Sequence, residues 1–551
     1  MIPAQADAHT VVPGQPQPTP PLRLRWALGL ALLGGLALDA AFPPAGIWPL
    51  AAVGPALLVI ALWGRSLRGS FCVGLIFGAA FFFPLVSWVV NLAWYAWVAL
   101  AAASAVIFAV LTVGQRLLLR LPAWPLAVAG WWVAAEALRD RWPFGGFPWG
   151  RLAMSQAGTP TQGWAAIGGT PLLTFVIALV GSTLAWLLLA LPGTRAAAGP
   201  AQGTGQAAGR RRTAWPVLAF AAIAGLAVLP AALPLDPVPR GAATAEVAAI
   251  QGNVPRARSL TGQLNNDWMV TLNHVAATDK LAQRVKAGQE PAPDLVIWPE
   301  NSTDIDPILY PPVHQQISSA AAAIDRPILV GAVLQDPARN AGLLWLPGTG
   351  PTKDVYIKRQ LVPFGEYLPF RALISKITSL TQLLPVNYTA GHSTYVFHVG
   401  QIRLGDVICY EIGFDGLVRS EVTAGANLLT MQTNDATFER DGWITAETGQ
   451  QLAMARIRAV EHDRSVVVAS TTGYSAIIAP DGRLMTSSGT WQQAELEARV
   501  PLLTYTTLAD RVGPWPEYVI IALTLAGLAF AAVRTIRTRS ANNPAGPAQG
   551  R

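Results

Sequence analysis

Leu404–Phe414 reads LGDVICYEIGF. After Asp406 the run is apolar up to Cys409, and a glutamate, Glu411, follows two residues later. β-Branched side chains in an unbroken apolar run describe a strand buried on both faces. Two other stretches have the same pattern. DLVIWPE ends on Glu300, with Pro299 stopping the strand, and DVYIK ends on Lys358. Each carries a reactive side chain where the apolar strand stops. If the strands are neighbours, the three side chains converge on one sheet edge.

The surrounding sequence supplies the rest of such a domain. EVAAIQGN, RPILVGAVL, GLLWLP, ANLLTMQTN, SVVVASTT and YSAIIAP are further candidate strands. Helices are expected over 262–287, 312–324, 412–424 and 443–462. Strands outnumber helices and several follow one another directly. This pattern fits a layered α/β sandwich better than a doubly wound sheet.

The remainder of the chain has a different character. Of 551 residues, 52% are hydrophobic and 13% charged, with a mean hydropathy of +0.37. That balance indicates a membrane protein. Apolar runs of spanning length begin near Trp26, Ile47, Phe71, Ala96, Ala123, Pro171 and Val217, and another lies between Tyr518 and Val533. The first run lacks a small-residue cleavage site, so it is read as a span rather than a signal peptide. The net charge of +7 does not form a nucleic-acid surface, because its arginines sit in short loops between apolar runs. Two cysteines make no disulfide framework, and six scattered histidines offer no zinc site.

Those arginines orient the chain. Arg23 and Arg25, Arg65 and Arg68, Arg116 and Arg120, Arg195 and Arg210–Arg212, and Arg534, Arg537 and Arg539 fall on one side if every run crosses. The positive-inside rule makes that side cytoplasmic. The loop with Arg139, Arg141 and Arg151, and also Asp140, is the exception. The expected organisation is a disordered cytoplasmic tail over 1–22 and seven helices over 23–236. A catalytic domain outside the cytoplasm follows over 237–513, then a last helix over 514–536 and a cytoplasmic tail over 537–551.

Taken singly, the three strand-end residues have ordinary readings: a loop carboxylate, an exposed lysine and a small core thiol. Taken together they suit nucleophilic catalysis. A thiol needs a base and a nearby cation to act at neutral pH, and Glu300 and Lys358 would supply them. Only five of the 39 basic residues are lysine. A lysine at this place suits a small oxyanion better than a guanidinium fork would.

WPE, the lysine followed by LVPFGEYLPF, and GDVICYE resemble the Glu-Lys-Cys triad of the nitrilase superfamily. With seven spans before and one after, residues 24–536 resemble the apolipoprotein N-acyltransferase family. The resemblance implies an αββα sandwich with Glu300 as general base, Cys409 as nucleophile and Lys358 as oxyanion donor beside the backbone N–H of Tyr410. It also implies supporting places for Glu366, Tyr410 and Glu411. FPWGRLAMSQ, Phe147–Gln156, resembles a family segment in the loop between the fifth and sixth spans. Phe364 and Phe438 are expected at the substrate mouth. Thr437 and Leu260 are expected there too, where the family often has tryptophan.

The implied reaction moves a fatty acyl chain from a membrane phospholipid, through a Cys409 thioester, to the α-amine of a diacylglyceryl-cysteine on a prolipoprotein. This needs no metal or other cofactor, and the enzyme is expected to be a monomer in the bacterial plasma membrane. Two other readings use the same residues: a membrane-tethered amidase that hydrolyses a C–N bond, and a non-catalytic lipid-binding scaffold. Eight spans exceed what tethering needs, and an intact trio argues against the scaffold.

Two apolar features complete the reading. The segment 361–386 is either a core helix or an arm dipping toward lipid. Trp94, Tyr95, Trp97, Trp142, Phe144, Phe147 and Trp149 are expected to form an interfacial belt. Glu136, near a span end, is given no catalytic role.

Overall fold

The computed structural model describes residues 22–191, 206–232, 238–254, 260–377, 386–438 and 446–541. Residues 1–21 and 542–551 of the expected tails, and Arg195, lie outside the described residues.

Helices occupy all eight apolar runs. They are α1 (Leu24–Asp39), α2 (Leu50–Leu62), α3 (Leu67–Leu85), α4 (Trp94–Leu118), α5 (Trp124–Arg139), α6 (Trp164–Ala190) and α7 (Gln206–Val228), with a last helix at Trp515–Ala541. Among the described residues, five segments are long and apolar enough to cross a membrane: Leu67–Leu85, Trp94–Leu118, Trp164–Ala190, Ala214–Ala232 and Trp515–Ile536. Helices α1, α2 and α5 are shorter, at 16, 13 and 16 residues.

Small residues let these helices approach closely, the packing expected where no hydrophobic drive separates helix from lipid. A Cβ on Gly35 of α1 would lie 2.4 Å from the Phe77 carbonyl of α3. A Cβ on Gly78 would meet the Ala105 backbone of α4 at 3.0 Å. Helix α6 kinks where Gly169, at φ +73°, precedes Pro171.

Among the described residues the second domain has twelve strands: β1 (Thr244–Gln251), β2 (Leu295–Ile297), β3 (Ile328–Leu334), β4 (Arg339–Leu346), β5 (Gly350–Ile357), β6 (Val396–Val399), β7 (Ile402–Ile408), β8 (Leu428–Thr433), β9 (Val466–Ser470), β10 (Ala476–Ile478), β11 (Leu484–Ser487) and β12 (Ala494–Pro501). They form two six-stranded sheets, ordered β12-β1-β2-β3-β4-β5 and β11-β10-β9-β8-β7-β6. The strands at each sheet's centre are parallel: β1, β2 and β3 in one, β7, β8 and β9 in the other. Val247, Ile297, Leu329, Leu404, Ile408, Val467 and other apolar side chains fill the space between the sheets.

Helices α8 (Leu260–Lys286) and α9 (Pro311–Ile324) cover the outer face of the first sheet. The short helix α10 (Arg371–Ile377) lies in the 361–386 segment, and α11 (Asp415–Thr423) and α12 (Ala446–His462) cover the second sheet. Helix α13 (Leu508–Val512) leads into α14 (Trp515–Ala541). Covering helices explain why the central strands are apolar on both faces.

Two expectations from the sequence are corrected here. The 361–386 segment is not a core helix in its described part, because Phe370 and Leu373 are 70% and 59% exposed. Residues 378–385 lie outside the described residues. Trp149 is not an interfacial anchor. It is buried and donates its indole N–H to Gln450 Oε1 at 2.9 Å, and Phe147 stacks on it at 5.7 Å. Trp97 is half-buried and bonds the Phe83 carbonyl at 2.8 Å. Trp94, Tyr95, Trp142 and Phe144 are exposed, as belt residues must be.

Buried polar joints tie the two domains together. Gln450 of α12 accepts from Trp88 at 3.3 Å as well as from Trp149, and donates to the Leu85 carbonyl at 3.0 Å. Asp415 of α11 accepts from Arg151 at 2.7 Å, Thr170 at 2.8 Å and Arg458 at 2.6 Å. Burial alone would raise the Asp415 carboxyl, but the two guanidiniums outweigh it and hold it well below the usual carboxylate range. Glu136 belongs to the same joint, accepting from the Leu152 backbone N–H and Thr174 Oγ1, each at 2.8 Å. Asp415→Asn would remove the carboxylate that Arg151 and Arg458 share, leaving Arg151 with Asp140 and Glu136 and Arg458 with Glu461. It should cost about 3–5 kcal/mol of stability, read as a lowered unfolding midpoint in detergent.

Candidate active site

Glu300, Lys358 and Cys409 stand at the exits of β2, β5 and β7, and the fold brings these exits together. Glu300 and Lys358 leave the first sheet, and Cys409 leaves the second. Lys358 Nζ donates to Glu300 Oε1 and to Glu366 Oε1, each at 2.9 Å. The ammonium is 1% exposed and Glu300 5%, so this is a desolvated ion cluster rather than a surface pair.

Three residues that sequence reasoning missed complete the cluster. Asn340 of β4 donates to Glu300 Oε1 at 2.6 Å and to Glu366 Oε1 at 3.1 Å. The backbone N–H of Asn434, past the end of β8, reaches Glu300 Oε2 at 2.9 Å. The third, Gln451, contacts the thiol and is treated below. Asn340 had a readable signal, a polar residue inside the apolar stretch RNAGLLWL. Asn434 shares the strand-end position of the trio.

The electrostatics follow from burial and partners. Burial raises the Glu300 carboxyl, Lys358 opposes the rise, and Glu366 adds to it. Two carboxylates outweigh burial at Lys358 and keep its ammonium charged far above the ordinary lysine range. Burial pushes the Cys409 thiol up, and the Glu300 charge pushes it further, while Lys358 lowers it. A raised carboxyl beside a protonated thiol and a fixed ammonium can exchange one proton with the sulfur and hold an oxyanion.

Cys409 itself is strained, with φ at +53°, a left-handed backbone that only local restraint maintains in a non-glycine residue. Glu411 supplies that restraint. Its carboxylate is fully buried and accepts four hydrogen bonds. They come from Ile408 N at 2.8 Å, Tyr356 Oη at 2.8 Å, Arg359 N at 2.6 Å and Gln360 N at 3.0 Å. One side chain thus clamps the cysteine turn to the β5 exit that carries Lys358. Glu411→Gln must turn an amide N–H toward one of these donors. It should cost about 2–4 kcal/mol and lower kcat with little change in KM, which steady-state kinetics and thermal unfolding would check.

Tyr410 faces the membrane domain. Its hydroxyl donates to the Gly146 carbonyl at 2.7 Å, and its ring stacks on Trp149 at 5.7 Å. Phe364, exposed and at φ +65°, meets Phe144 edge-on at 5.8 Å, and Phe370 packs on Phe144 at 5.9 Å. This aromatic group joins the 361–377 segment to the loop between α5 and α6. Phe438 packs edge-on against Trp88 at 5.1 Å, and its carbonyl accepts from Asn91 at 2.7 Å. Thr437 is exposed beside it. Leu260 opens α8, and its side chain lies outside the described residues.

Comparison with known proteins finds the same two halves. Residues 34–183 match the apolipoprotein N-acyltransferase N-terminal domain, and 246–516 match the carbon-nitrogen hydrolase domain. An apolipoprotein N-acyltransferase of Mycolicibacterium smegmatis is 39% identical over 93% of this chain and 88% of its own length. One from Vibrio vulnificus is 26% identical over 92% of this chain and 96% of its own. Helical and sandwich parts occur together in relatives matched over nearly their whole length, so the chain belongs to the apolipoprotein N-acyltransferase family, a membrane branch of the nitrilase superfamily.

Proposed function

We propose that this acyltransferase works by a ping-pong route through Cys409. Glu300 takes the thiol proton, and the thiolate attacks an ester carbonyl of a membrane phospholipid. Lys358 and the backbone N–H of Tyr410 hold the oxyanion. The C–O bond breaks, and the lysophospholipid leaves with the proton from Glu300. The acceptor is the α-amine of an N-terminal S-diacylglyceryl-cysteine on a prolipoprotein. It attacks the thioester, gives its proton to Glu300, and releases the sulfur. The ester already carries the driving force, so the route uses no nucleotide.

The observation that carries this reading is the desolvated Glu300–Lys358–Glu366 cluster beside a strained cysteine. The exposed Phe144, Phe364 and Phe370 beside it offer acyl chains an apolar way in. Eight helices cross the bilayer in this account. Residues 23–236 hold seven of them, and 514–536 hold the last. The arginine distribution puts 237–513 on the extracytoplasmic face. In this reading the protein acts as a monomer.

The test supplies labelled phospholipid and a diacylglyceryl lipopeptide to the purified protein. N-acylated lipopeptide in step with lysophospholipid supports the proposal. Rapid release of free fatty acid, with no acylated peptide, would instead mark a hydrolase.

A further inference from the structure

Glu300 and Lys358 reach Cys409 from the first sheet. A different side chain reaches the sulfur from α12, in the outer layer of the second sheet. Gln451 is 1% exposed, and its Nε2 lies 3.6 Å from Cys409 Sγ. The orientation of this amide is locked. Its Oε1 accepts from Thr433 Oγ1 at 2.8 Å, and its Nε2 also donates to Glu447 Oε1. A flipped amide would set its oxygen against the Glu447 carboxyl oxygen, a buried acceptor–acceptor contact that disfavours the flip.

The anchors of the lock are themselves held. Glu447 and Asp435 are hydrogen-bonded to each other. Asp435 also accepts from Ser470 Oγ at 2.6 Å. An N–H of Gln451 therefore points at the sulfur in the resting enzyme.

The chemistry needs such a donor. Lys358 has three N–H bonds, and Glu300 and Glu366 take two of them. The third cannot serve the thiolate and the substrate oxyanion at once. We propose that Gln451 is a further catalytic residue, whose Nε2–H donates to the Cys409 thiolate in both half-reactions. The bond is strongest to the thiolate before attack and to the thiolate leaving when the amine collapses the thioester. It weakens on the uncharged thioester sulfur between these states. Gln451 thus favours the charged sulfur selectively, without adding a further charge to a site that already holds several. This role rests on Cys409 being the nucleophile.

The groups that face the sulfur are Glu300 and Lys358 from the first sheet, Thr433 from β8, and Glu447 and Gln451 from α12. Among them, replacing Gln451 or Thr433 changes hydrogen bonding without changing the charge. The test follows alkylation of Cys409 by iodoacetamide against pH in the full-length protein in detergent. A Cys72→Ala background removes the other cysteine, which is exposed on α3. Gln451→Met should move the alkylation curve up by about one pH unit and lower the rate at neutral pH about tenfold. The kcat of acyl transfer should fall in parallel while KM for phospholipid stays. Gln451→Leu, which also lacks the donor, should shift the curve as far, and it decides the matter if the methionine variant does not fold; Thr433→Val cannot, because the Thr433 hydroxyl itself hydrogen-bonds the sulfur. Unshifted curves would overturn the role of Gln451. Full acyl transfer by protein already alkylated at Cys409 would instead overturn the nucleophile itself.

Discussion

Glutamine in place of Glu300 should leave the fold intact and lower acyl transfer about a thousandfold, the usual cost of removing a positioned base. The substitution is nearly isosteric. An amide oxygen can still accept from Lys358 and Asn340, which hold Glu300 Oε1 at 2.9 and 2.6 Å. Proton transfer is removed, together with the hydrogen bond that Glu300 Oε2 accepts from the Asn434 backbone N–H at 2.9 Å. The pH profile gives a second readout. Glu300 must be ionised to act, so wild-type activity rises as pH climbs through its pKa. Burial sets that pKa above the ordinary glutamate value of 4.5. The acidic limb of acyl-enzyme formation should therefore lie above 4.5 in the wild type and vanish from the residual activity of Glu300→Gln. An unchanged acidic limb in the variant would assign the base elsewhere.

Lys358→Met should be worse on two counts. It removes the only cation bonded to Glu300 and Glu366 among the described residues, leaving two neighbouring carboxylates with only the neutral Asn340 amide and the backbone N–H groups of Asn434 and Val362. Breaking a buried ion cluster from one side costs about 3–5 kcal/mol. The loss of an oxyanion donor costs a further factor of about a hundred to a thousand in rate. One carboxylate must also take up a proton to relieve the repulsion, and if that is Glu300 the base is spent as well. Arginine should not rescue the site. Its planar fork is longer and wider than an ammonium that sits 1% exposed between two carboxylates. Thermal unfolding and single-turnover acylation would separate the stability loss from the rate loss. A Lys358→Arg variant with near-normal rates would contradict the steric part of the argument.

Strands buried on both faces left a clear trace in the sequence. Strands β2 and β7 are almost wholly buried; Cys409 directly follows β7 and Glu300 stands three residues past β2, while Lys358 directly follows β5, a partly exposed edge strand, and these strand-end positions marked the site before any neighbour was known. Strands β6 and β11 are only four residues long, and β12 mixes charges into AELEARVP at a sheet edge. Their pairing comes from the sheet beside them, not from their own composition. Trp149 was misread for a related reason. A tryptophan at a span end suits the interface, but here Gln450 of a distant helix draws its indole inward.

Glu411 is the clearest case of a role that sequence hides. Its position beside Cys409 is local, yet two of its four donors belong to residues 359 and 360, on the other sheet's exit. Gln451 is similar. Nothing in QQLAMARIRAVE distinguishes the glutamine that touches the sulfur from the one that ties α12 to the membrane helices. Only the packing of α12 against both separates them.

The central claim is the transient acyl thioester on Cys409. The most direct measurement incubates the purified protein with labelled phospholipid and no acceptor, then locates the added mass by peptide mass spectrometry. The account predicts one acyl group on the peptide carrying Cys409, lost when a lipopeptide amine is added and absent in Cys409→Ala. Acyl transfer that proceeds in Cys409→Ala, or a label that settles on another residue and still passes to the amine, would contradict it.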